Sequence, residues 1–343
     1  MQERRNEAAI PAGPTFSVVV PVFNEGEGLL EFHARLARVM RGLGAPWEVV
    51  YVNDGSRDAS LTVLEGLRAE DPACAIVNLS RNFGTEIAMT AGLDHARGAA
   101  AVAIDADLQD PPEVIPELVA GWRGGFDVVY AQRRQRAGES WLKRTTADLF
   151  YRLMQSVGRV KLPRDTGDFR LMSRRAVDAL MQLREHHRFM KGLFAWVGFP
   201  TLAVAYDRAP RFAGRTSFNY WKLWNLAIEG ITSFTTMPLK LASYLGLLTA
   251  AVALVYGGNI VVRALLFGNP VPGYPSLMTV ILFLGGAQLV TLGVMGEYLG
   301  RIFNETKGRP LYFVERFTPS RPMVPPDPFP PPGEPVASPA RVP

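Results

Sequence analysis

The run Asp105-Ala106-Asp107 places two carboxylates two residues apart, directly after the apolar residues 100–104. Acids at this spacing at the end of a strand can both reach one hard cation. Mg²⁺ and Mn²⁺ bind a few carboxylates and complete their coordination with substrate phosphate oxygens, so such a metal neutralises a leaving diphosphate. The run therefore predicts a metal and diphosphate site. An Asp-capped turn is the alternative interpretation.

Two further polar clusters follow apolar runs in the same way. The apolar run 16–22 leads into Asn24 and Glu25, and the apolar run 47–53 leads into Asp54. An acid at a strand end followed by Gly-Ser suits hydrogen bonding to a ribose or to a base edge. A tight turn that caps the next helix fits the same residues. The chain has no G-x-G-x-x-G and no P-loop pattern, which excludes those two nucleotide-binding fingerprints.

The elements that position these clusters follow from alternating apolar and amphipathic segments. The pattern predicts strands over residues 16–22, 47–53, 75–79, 100–104 and 127–131, and helices over residues 28–40, 59–69 and 85–96. Continuously apolar strands that alternate with helices indicate a mostly parallel α/β sheet covered on both faces. Ligands of such sheets bind outside the carboxyl ends of the strands, where the three clusters fall.

Composition narrows the classes of protein further. With 37 Lys and Arg against 32 Asp and Glu, the net charge of +5 fits a membrane-surface protein at least as well as a nucleic-acid binder. One cysteine excludes a disulfide framework and a Cys-based zinc site, and the spacing of the four histidines disfavours a His-ligated zinc site. Residues 1–14 are polar and are expected to be flexible, without a signal peptide.

Two long apolar stretches, residues 241–266 and 275–299, each carry a single charge near one end. Each exceeds the ~20 residues that a membrane-spanning helix needs, so the sequence predicts two spans; a buried core helix is the alternative. Lys and Arg flank the pair on both outer sides, which places both ends and the α/β domain in the cytoplasm.

Three other segments complete the organisation. Residues 219–237 carry apolar side chains at helical spacing and are predicted to form an amphipathic helix at the membrane interface; an ordinary surface helix is the alternative. Residues 301–317 are expected to form a cytoplasmic juxtamembrane segment. The proline-rich residues 318–343 are predicted to be a disordered tail.

The three clusters in this order resemble family 2 glycosyltransferases of the GT-A fold, a Rossmann-like architecture. The resemblance extends from about residue 15 to residue 316 and looks closest to the bacterial polyprenyl-phosphate branch with two C-terminal spans. The runs that carry it are residues 79–84, 105–112, 167–172, 188–192, 296–301 and 307–310. Runs 105–112 and 167–172 are the most specific of these.

The resemblance implies a nucleotide-sugar donor (UDP-sugar favoured, GDP-sugar as alternative), a Mg²⁺ or Mn²⁺ ion and a polyprenyl phosphate acceptor, with inversion at the sugar. It assigns nucleotide binding to Pro21, Phe23, Asn24, Glu25, Asp54, Asp105 and Ala106. It assigns the metal to Asp105, Asp107 and Gln109. The expected location is a bacterial inner membrane, and no nucleic-acid partner is expected.

By the same resemblance, the catalytic group comprises Asp168, Asp107 and Arg211, and the acceptor-phosphate group comprises Arg133 and Arg144. A phosphate monoester has its second pKa at about 6 and needs little help from a base. Asp168 is therefore expected to orient a substrate rather than to remove a proton. A structural Asp168 paired with Arg170 is the alternative.

The chain departs from the family pattern at three places. Asn53 replaces a common Asp, Thr85 replaces a common Lys, and the loop that begins at Arg211 reads Thr-Ser-Phe at residues 216–218 in place of Ser-Lys-Tyr. The lost lysine bears on how this loop, mobile in the family, holds the diphosphate.

Two rival functions are weighed against this one. A processive polysaccharide synthase is disfavoured because the chain lacks Q-x-x-R-W and has only two candidate spans. A non-catalytic scaffold or lipid-carrier flippase subunit is disfavoured because neither role explains the acids at three strand ends. The identity of the sugar and the existence of a homo-oligomer stay open.

Overall fold

The computed structural model describes residues 13–134, 166–186, 188, 190–207, 237–267 and 273–321. The strands are β1 (Phe16–Val22), β2 (Trp47–Asn53), β3 (Cys74–Leu79), β4 (Ala100–Ala103), β5 (Val128–Arg133), β6 (Thr166–Ser173), β7 (Thr201–Tyr206) and β8 (Val314–Thr318). The helices are α1 (Leu29–Gly42), α2 (Ser60–Glu70), α3 (Thr85–His95), α4 (Ile115–Arg123), α5 (Arg174–Met181), α6 (Met190–Trp196), α7 (Met237–Phe267) and α8 (Tyr274–Thr306), with a 3₁₀ turn at Pro112–Val114.

The described strands form one sheet in the order β7-β5-β6-β4-β1-β2-β3-β8. β1 pairs in parallel with β2 and β4, β2 pairs in parallel with β3, and β5 pairs in parallel with β7. β6 is inserted antiparallel between β4 and β5, and β8 runs antiparallel along β3. The sheet is therefore mostly parallel, as predicted, with two antiparallel strands: β6 inside the sheet and β8 at its edge.

The core lies on both faces of the sheet because alternate residues of the buried strands point to opposite sides. Val18 and Val20 of β1 pack in the cluster that includes α1, α2 and α4, whereas Val19 packs in the cluster with α3 and α5. Gly92 of α3 lies so close to the sheet that a Cβ there would stand 2.2 Å from Cγ1 of Val19. This close approach sets the depth of α3, the helix whose first turn lies in the candidate site.

The five predicted strands and three predicted helices of the α/β part are confirmed with small shifts at their ends. β6, β7 and β8 were not predicted as strands. β8 corrects the assignment of the residues after α8: part of the expected juxtamembrane segment is a strand, and Thr318, expected to start the disordered tail, belongs to it. Ser320 is also ordered and only 6% exposed, because its hydroxyl donates to the buried Glu48 carboxylate at 2.7 Å.

The two predicted apolar stretches form the two long helices α7 and α8, which pack against each other. Among the described residues, Leu239–Phe267 is the candidate membrane span; its mean hydropathy is 2.0, and its 18-residue apolar window contains no residue buried inside the protein. The second span stays a prediction. The expected amphipathic helix at residues 219–236 and the loop that begins at Arg211 lie outside the described residues, as do residues 1–12 and 322–343.

Candidate active site

The loops after β1 and β2 are held together by backbone-to-side-chain hydrogen bonds. The Asn24 backbone N–H donates to Ser56 Oγ at 3.1 Å, and Asn24 Oδ1 accepts from the Arg57 backbone N–H at 2.9 Å. The Glu25 backbone N–H donates to Ser60 Oγ at 3.0 Å. Asn24 adopts a left-handed backbone conformation with φ of 55°, which its short side chain tolerates. These hydrogen bonds join the loop that carries Phe23, Asn24 and Glu25 to the loop that carries Asp54, and we call the two joined loops the ledge. Phe23 is 45% exposed.

Asp54 holds the start of α3. Its Oδ1 accepts from the Phe83 backbone N–H at 2.7 Å and its Oδ2 accepts from the Gly84 backbone N–H at 2.9 Å. Burial raises the pKa of Asp54, although these two hydrogen bonds act in the opposite direction. The turn part of the alternative interpretation is confirmed at Asp58, which accepts from the backbone of Gly26 and of Ser60. The helix cap is not, because the N-cap of α2 is Ala59 and no side chain caps it. Contact of Asp54 with a nucleotide stays a prediction.

Asp105 and Asp168 come together through the strand register. The antiparallel pairing of β4 with β6 ends with Ala103 opposite Arg170, and the same register continued for two residues brings Asp105 towards Asp168. Burial, followed by the charges of Asp168, Asp110 and Asp107, raises the pKa of Asp105 well above its usual range. The Asp168 Oδ1 is buried and has no hydrogen-bond partner among the described residues. The structure thus brings these four carboxyls to one place.

The second acid of the Asp-x-Asp run lies in a tight turn. Oδ1 of Asp107 accepts from the backbone N–H of Gln109 at 3.0 Å, and Leu108 between them has a φ of 59°. Ala106 is 3% exposed and packs in the core beneath the turn. The turn is the local structure that sets the Asp107 carboxylate beside Asp105.

Arg133 is brought to the same place by Tyr206, a residue that the sequence analysis did not single out. Nε of Arg133 donates to the Tyr206 hydroxyl at 3.3 Å, and that hydroxyl donates to Oδ1 of the buried Asp110. A Cβ at position 167 would lie 3.2 Å from a terminal nitrogen of Arg133, so Gly167 leaves room for the guanidinium. Arg144 and Arg211, the other predicted arginines, lie outside the described residues.

Arg170 does not pair with the Asp168 carboxylate. Its guanidinium donates to the backbone carbonyls of Gly167 at 2.7 Å and Asp168 at 3.3 Å, and it stacks 3.7 Å from the Phe194 ring centroid. Burial lowers the pKa of Arg170 to about 10, although the nearby acids oppose this shift. The alternative in which Asp168 is only the partner of Arg170 is therefore not supported.

Glu86 is an acid of the site that sequence reasoning missed. It lies in the first turn of α3, and its Oε2 accepts from the Met190 backbone N–H at 3.2 Å. Burial and the charge of Asp168 raise the pKa of Glu86, while Lys191 acts in the opposite direction. The available signal was its place two residues after Gly84, at the end of the run 79–84 that carries part of the family resemblance.

The donor set suits a divalent cation that shares its ligands with a substrate. Among the described residues, no group of three or more His, Cys, Asp or Glu side chains is arranged to hold a metal by itself. Asp105 and Asp107 offer hard carboxylate oxygens, and the repulsion that raises the pKa of Asp105 is what a cation would relieve. Mg²⁺ is usually bound by one or two protein carboxylates together with substrate phosphate oxygens, rather than by protein ligands alone, and Mn²⁺ prefers the same oxygen ligands. Asp105 and Asp107 fit this pattern.

Comparison with known proteins identifies the class of enzyme. The model of glycosyl transferase family 2 matches residues 17–181, and the model of the GtrB C-terminal hairpin matches residues 237–302. An uncharacterized glycosyltransferase of Synechocystis is 52% identical over 298 residues, which cover 87% of this chain and 94% of that protein. The chain belongs to glycosyltransferase family 2. It is therefore a glycosyltransferase with a GT-A α/β domain.

Other relatives of this family 2 enzyme carry a more specific name. The SfII prophage-derived bactoprenol glucosyl transferase of Shigella flexneri is 48% identical over 300 residues, which cover 88% of this chain and 97% of the relative. A solved glucosyl-3-phosphoglycerate synthase from Mycobacterium tuberculosis is 21% identical, with a TM-score of 0.45 over 64% of this chain and 78% of that one. A likeness this weak adds nothing to the family assignment.

Proposed function

We propose that this glycosyltransferase moves a sugar from a nucleotide sugar, with a UDP-sugar favoured, to a polyprenyl phosphate at the cytoplasmic face of a bacterial inner membrane. One observation carries the proposal: the acids Asp105 and Asp168 come near each other just beyond the last residue pair of β4 and β6, on a chain that continues into an apolar helical hairpin. The relatives named bactoprenol glucosyl transferase support the lipid acceptor, and make glucose the first sugar to test.

On the donor side, the ledge formed by the loops after β1 and β2 would hold the nucleoside. Its members are Pro21, Phe23, Asn24, Glu25 and Asp54, and Asp105 and Ala106 would join them because they follow β4, the strand paired with β1. Asp105 and Asp107, with Gln109 by family resemblance, would hold a Mg²⁺ or Mn²⁺ ion. That ion, when bound, stabilises the negative charge of the departing diphosphate.

Asp168 would orient the sugar or the acceptor. A buried carboxylate oxygen without a donor is costly by about 1–3 kcal/mol, so Oδ1 of Asp168 is suited to accept from a substrate hydroxyl. The acceptor phosphate is already anionic near neutral pH, and its oxygen can attack the anomeric carbon in line with the leaving group. The C–O bond to the diphosphate breaks as the new C–O bond forms, which inverts the anomeric configuration.

On the acceptor side, the negative charges of the lipid phosphate and the donor diphosphate repel each other. Arginine forks relieve this repulsion because they donate two parallel hydrogen bonds to a phosphate. Arg133, which donates to Tyr206 near the acids, would take this role. Arg144 and Arg211 are proposed for the acceptor phosphate and the diphosphate on the family resemblance alone.

The hairpin would bring the site to the membrane. The chain leaves the described domain, runs through α7 and α8, and returns to pair β8 with β3. The end of α8 therefore lies on the side of the catalytic domain, and a two-span arrangement would bring the start of α7 to the same side. The Lys and Arg residues that flank the pair support a cytoplasmic active site.

The proposal is tested by incubating membranes that contain the protein with undecaprenyl phosphate, Mg²⁺ or Mn²⁺, and labelled UDP- and GDP-sugars, UDP-glucose first. Label from one donor should enter the lipid phase and should be lost with a chelator and with Asp107→Ala. Absence of label from every donor, with folded protein, would contradict the proposal. Label in a growing polymer would favour a processive synthase instead.

A further inference from the structure

The carboxyls of the site have four cations near them in the described structure, and three of these are already engaged. Arg133 donates to the Tyr206 hydroxyl, and Arg170 is 5% exposed, bonded to two backbone carbonyls and stacked on Phe194. Arg188, whose charge acts on Glu86, is 4% exposed and donates to the Leu183 carbonyl. The fourth cation is Lys191.

Lys191 has a fixed backbone and an available side chain. It lies in the first turn of α6, directly after Met190, whose backbone N–H donates to Glu86 and whose side chain is 1% exposed. The hydrogen bond from Met190 to Glu86 sets the backbone of Lys191 next to the first turn of α3, and the positive charge of Lys191 acts on both Glu86 and Asp105. Among the described residues, no hydrogen bond or ion pair occupies its three N–H donors.

We propose that Lys191 binds a phosphate group at this site, either the acceptor phosphate or the diphosphate of the donor. The inference rests on the proposed function, which is what brings phosphates here. An ammonium group is a compact point charge with three donors, and lysine is a common phosphate ligand. A backbone already anchored through Met190 lowers the ordering cost of binding.

A merely structural Lys191 would offset the repulsion between Glu86 and Asp105 without touching a substrate. The two roles predict different Michaelis constants (KM). A structural role leaves the KM values for both substrates unchanged, whereas a phosphate contact raises the KM of the substrate that Lys191 binds. The test compares the full-length wild type with Lys191→Gln, which removes the charge, and Lys191→Arg, which keeps it. The control is Arg123→Gln, which removes one positive charge from the exposed last turn of α4.

The transfer assay would be run with polyprenyl phosphate varied at saturating nucleotide sugar, and then with the nucleotide sugar varied at saturating lipid. Lys191→Gln should raise one KM by about tenfold or more, the loss of one good charge-assisted contact. A rise for the lipid identifies the acceptor phosphate, and a rise for the nucleotide sugar identifies the diphosphate. Lys191→Arg should stay within about threefold of the wild type, and Arg123→Gln should be unchanged.

Both KM values within about twofold of the wild type in Lys191→Gln would overturn the inference, whatever happens to kcat or Tm. A wild type that transfers no sugar would instead contradict the proposed function. Lys191 would then be tested by calorimetric binding of inorganic phosphate. Binding weakened at least tenfold in Lys191→Gln supports the phosphate site, and unchanged binding overturns it.

Discussion

Two acidic regions of this glycosyltransferase differ in how their carboxylates are partnered. In β2, Glu48 is 2% exposed and accepts from the Ser17 hydroxyl at 2.7 Å, the Ser320 hydroxyl at 2.7 Å, and the backbone and guanidinium of Arg97. After β4, Asp105 faces other acids, and the nearby Asp168 has a buried oxygen without a partner among the described residues.

The surroundings shift the two pKa values in opposite directions. Burial alone would raise the pKa of Glu48, but the hydrogen bonds from Arg97, Ser320 and Ser17 outweigh it and hold this pKa below its usual value. Burial and neighbouring charges both raise the pKa of Asp105. A buried acid with a full set of donors stabilises the fold, whereas a group of neighbouring acids that raise one another's pKa is suited to hold a cation and a substrate.

Asp105→Asn gives the largest expected effect. The variant removes a carboxylate that is proposed to bind the metal, so kcat for transfer should fall on the order of 10²–10³-fold, the range seen when one transition-state charge contact is lost. Because the substitution also removes repulsion from Asp168 and Asp107, Tm should be unchanged or higher. Transfer kinetics and thermal unfolding on the same sample measure both. A variant with a low Tm and full activity per folded molecule would contradict this prediction, because it would show that Asp105 stabilises the fold and does not serve the reaction.

Glu48→Gln should show the opposite profile. A glutamine amide turns one acceptor into a donor that faces Arg97 and Ser320, so the free energy of unfolding should fall by about 3 kcal/mol. Denaturant titration measures this loss. The kcat per folded molecule should stay within about twofold of the wild type, because Glu48 is part of the stabilising network and not of the site. A large loss of kcat at full stability would contradict that separation.

The pH dependence of stability sharpens the comparison. Glu48 has a folded-state pKa below the unfolded value of 4.5, so its contribution is fully present above pH 4.5 and is lost as the pH falls through the folded value. The wild type should therefore lose stability more steeply below pH 4.5 than Glu48→Gln does. Parallel curves for the two proteins, measured by denaturant titration across this range, would show that Glu48 does not titrate as described.

Ser320→Ala gives the smallest expected effect and tests the ordered start of the C-terminal tail. The loss of the Ser320 hydroxyl removes one donor to Glu48 and should lower the free energy of unfolding by about 1 kcal/mol. The exposed Ser80 beside β8 provides the matched control, since Ser80→Ala should leave stability unchanged. Equal stability of both variants would indicate that residue 320 does not dock on the domain.

The same contrast shows what the sequence could predict. β1 to β4 are buried along their whole length and mostly apolar, so their pattern alone indicated a parallel sheet and the acids at its edge. β6 was missed as a strand because Asp168 and Arg170 interrupt its apolar pattern, although its motif pointed to the site. β8 was missed because the sequence Val-Glu-Arg-Phe-Thr is mostly exposed and precedes a proline-rich tail.

The missed site residues depend on tertiary contacts. Glu86 resembles any polar residue in the first turn of a helix until Met190 and Asp168 are brought against it. Tyr206 gains its role only because β7 pairs with β5 and sets its hydroxyl between Arg133 and Asp110. Asp105, Asp107 and Asp168 were identified because their motifs are local.

The most direct test of the central claim is the mass of the lipid product. After incubation with UDP-glucose and undecaprenyl phosphate, the account predicts one new species heavier than the lipid phosphate by a single hexose. The wild type and Glu48→Gln should make it at similar rates, and Asp105→Asn should make it on the order of 10²–10³-fold more slowly. A product that forms equally with Asp105→Asn, or sugar transferred only to water or to a polymer, would contradict it.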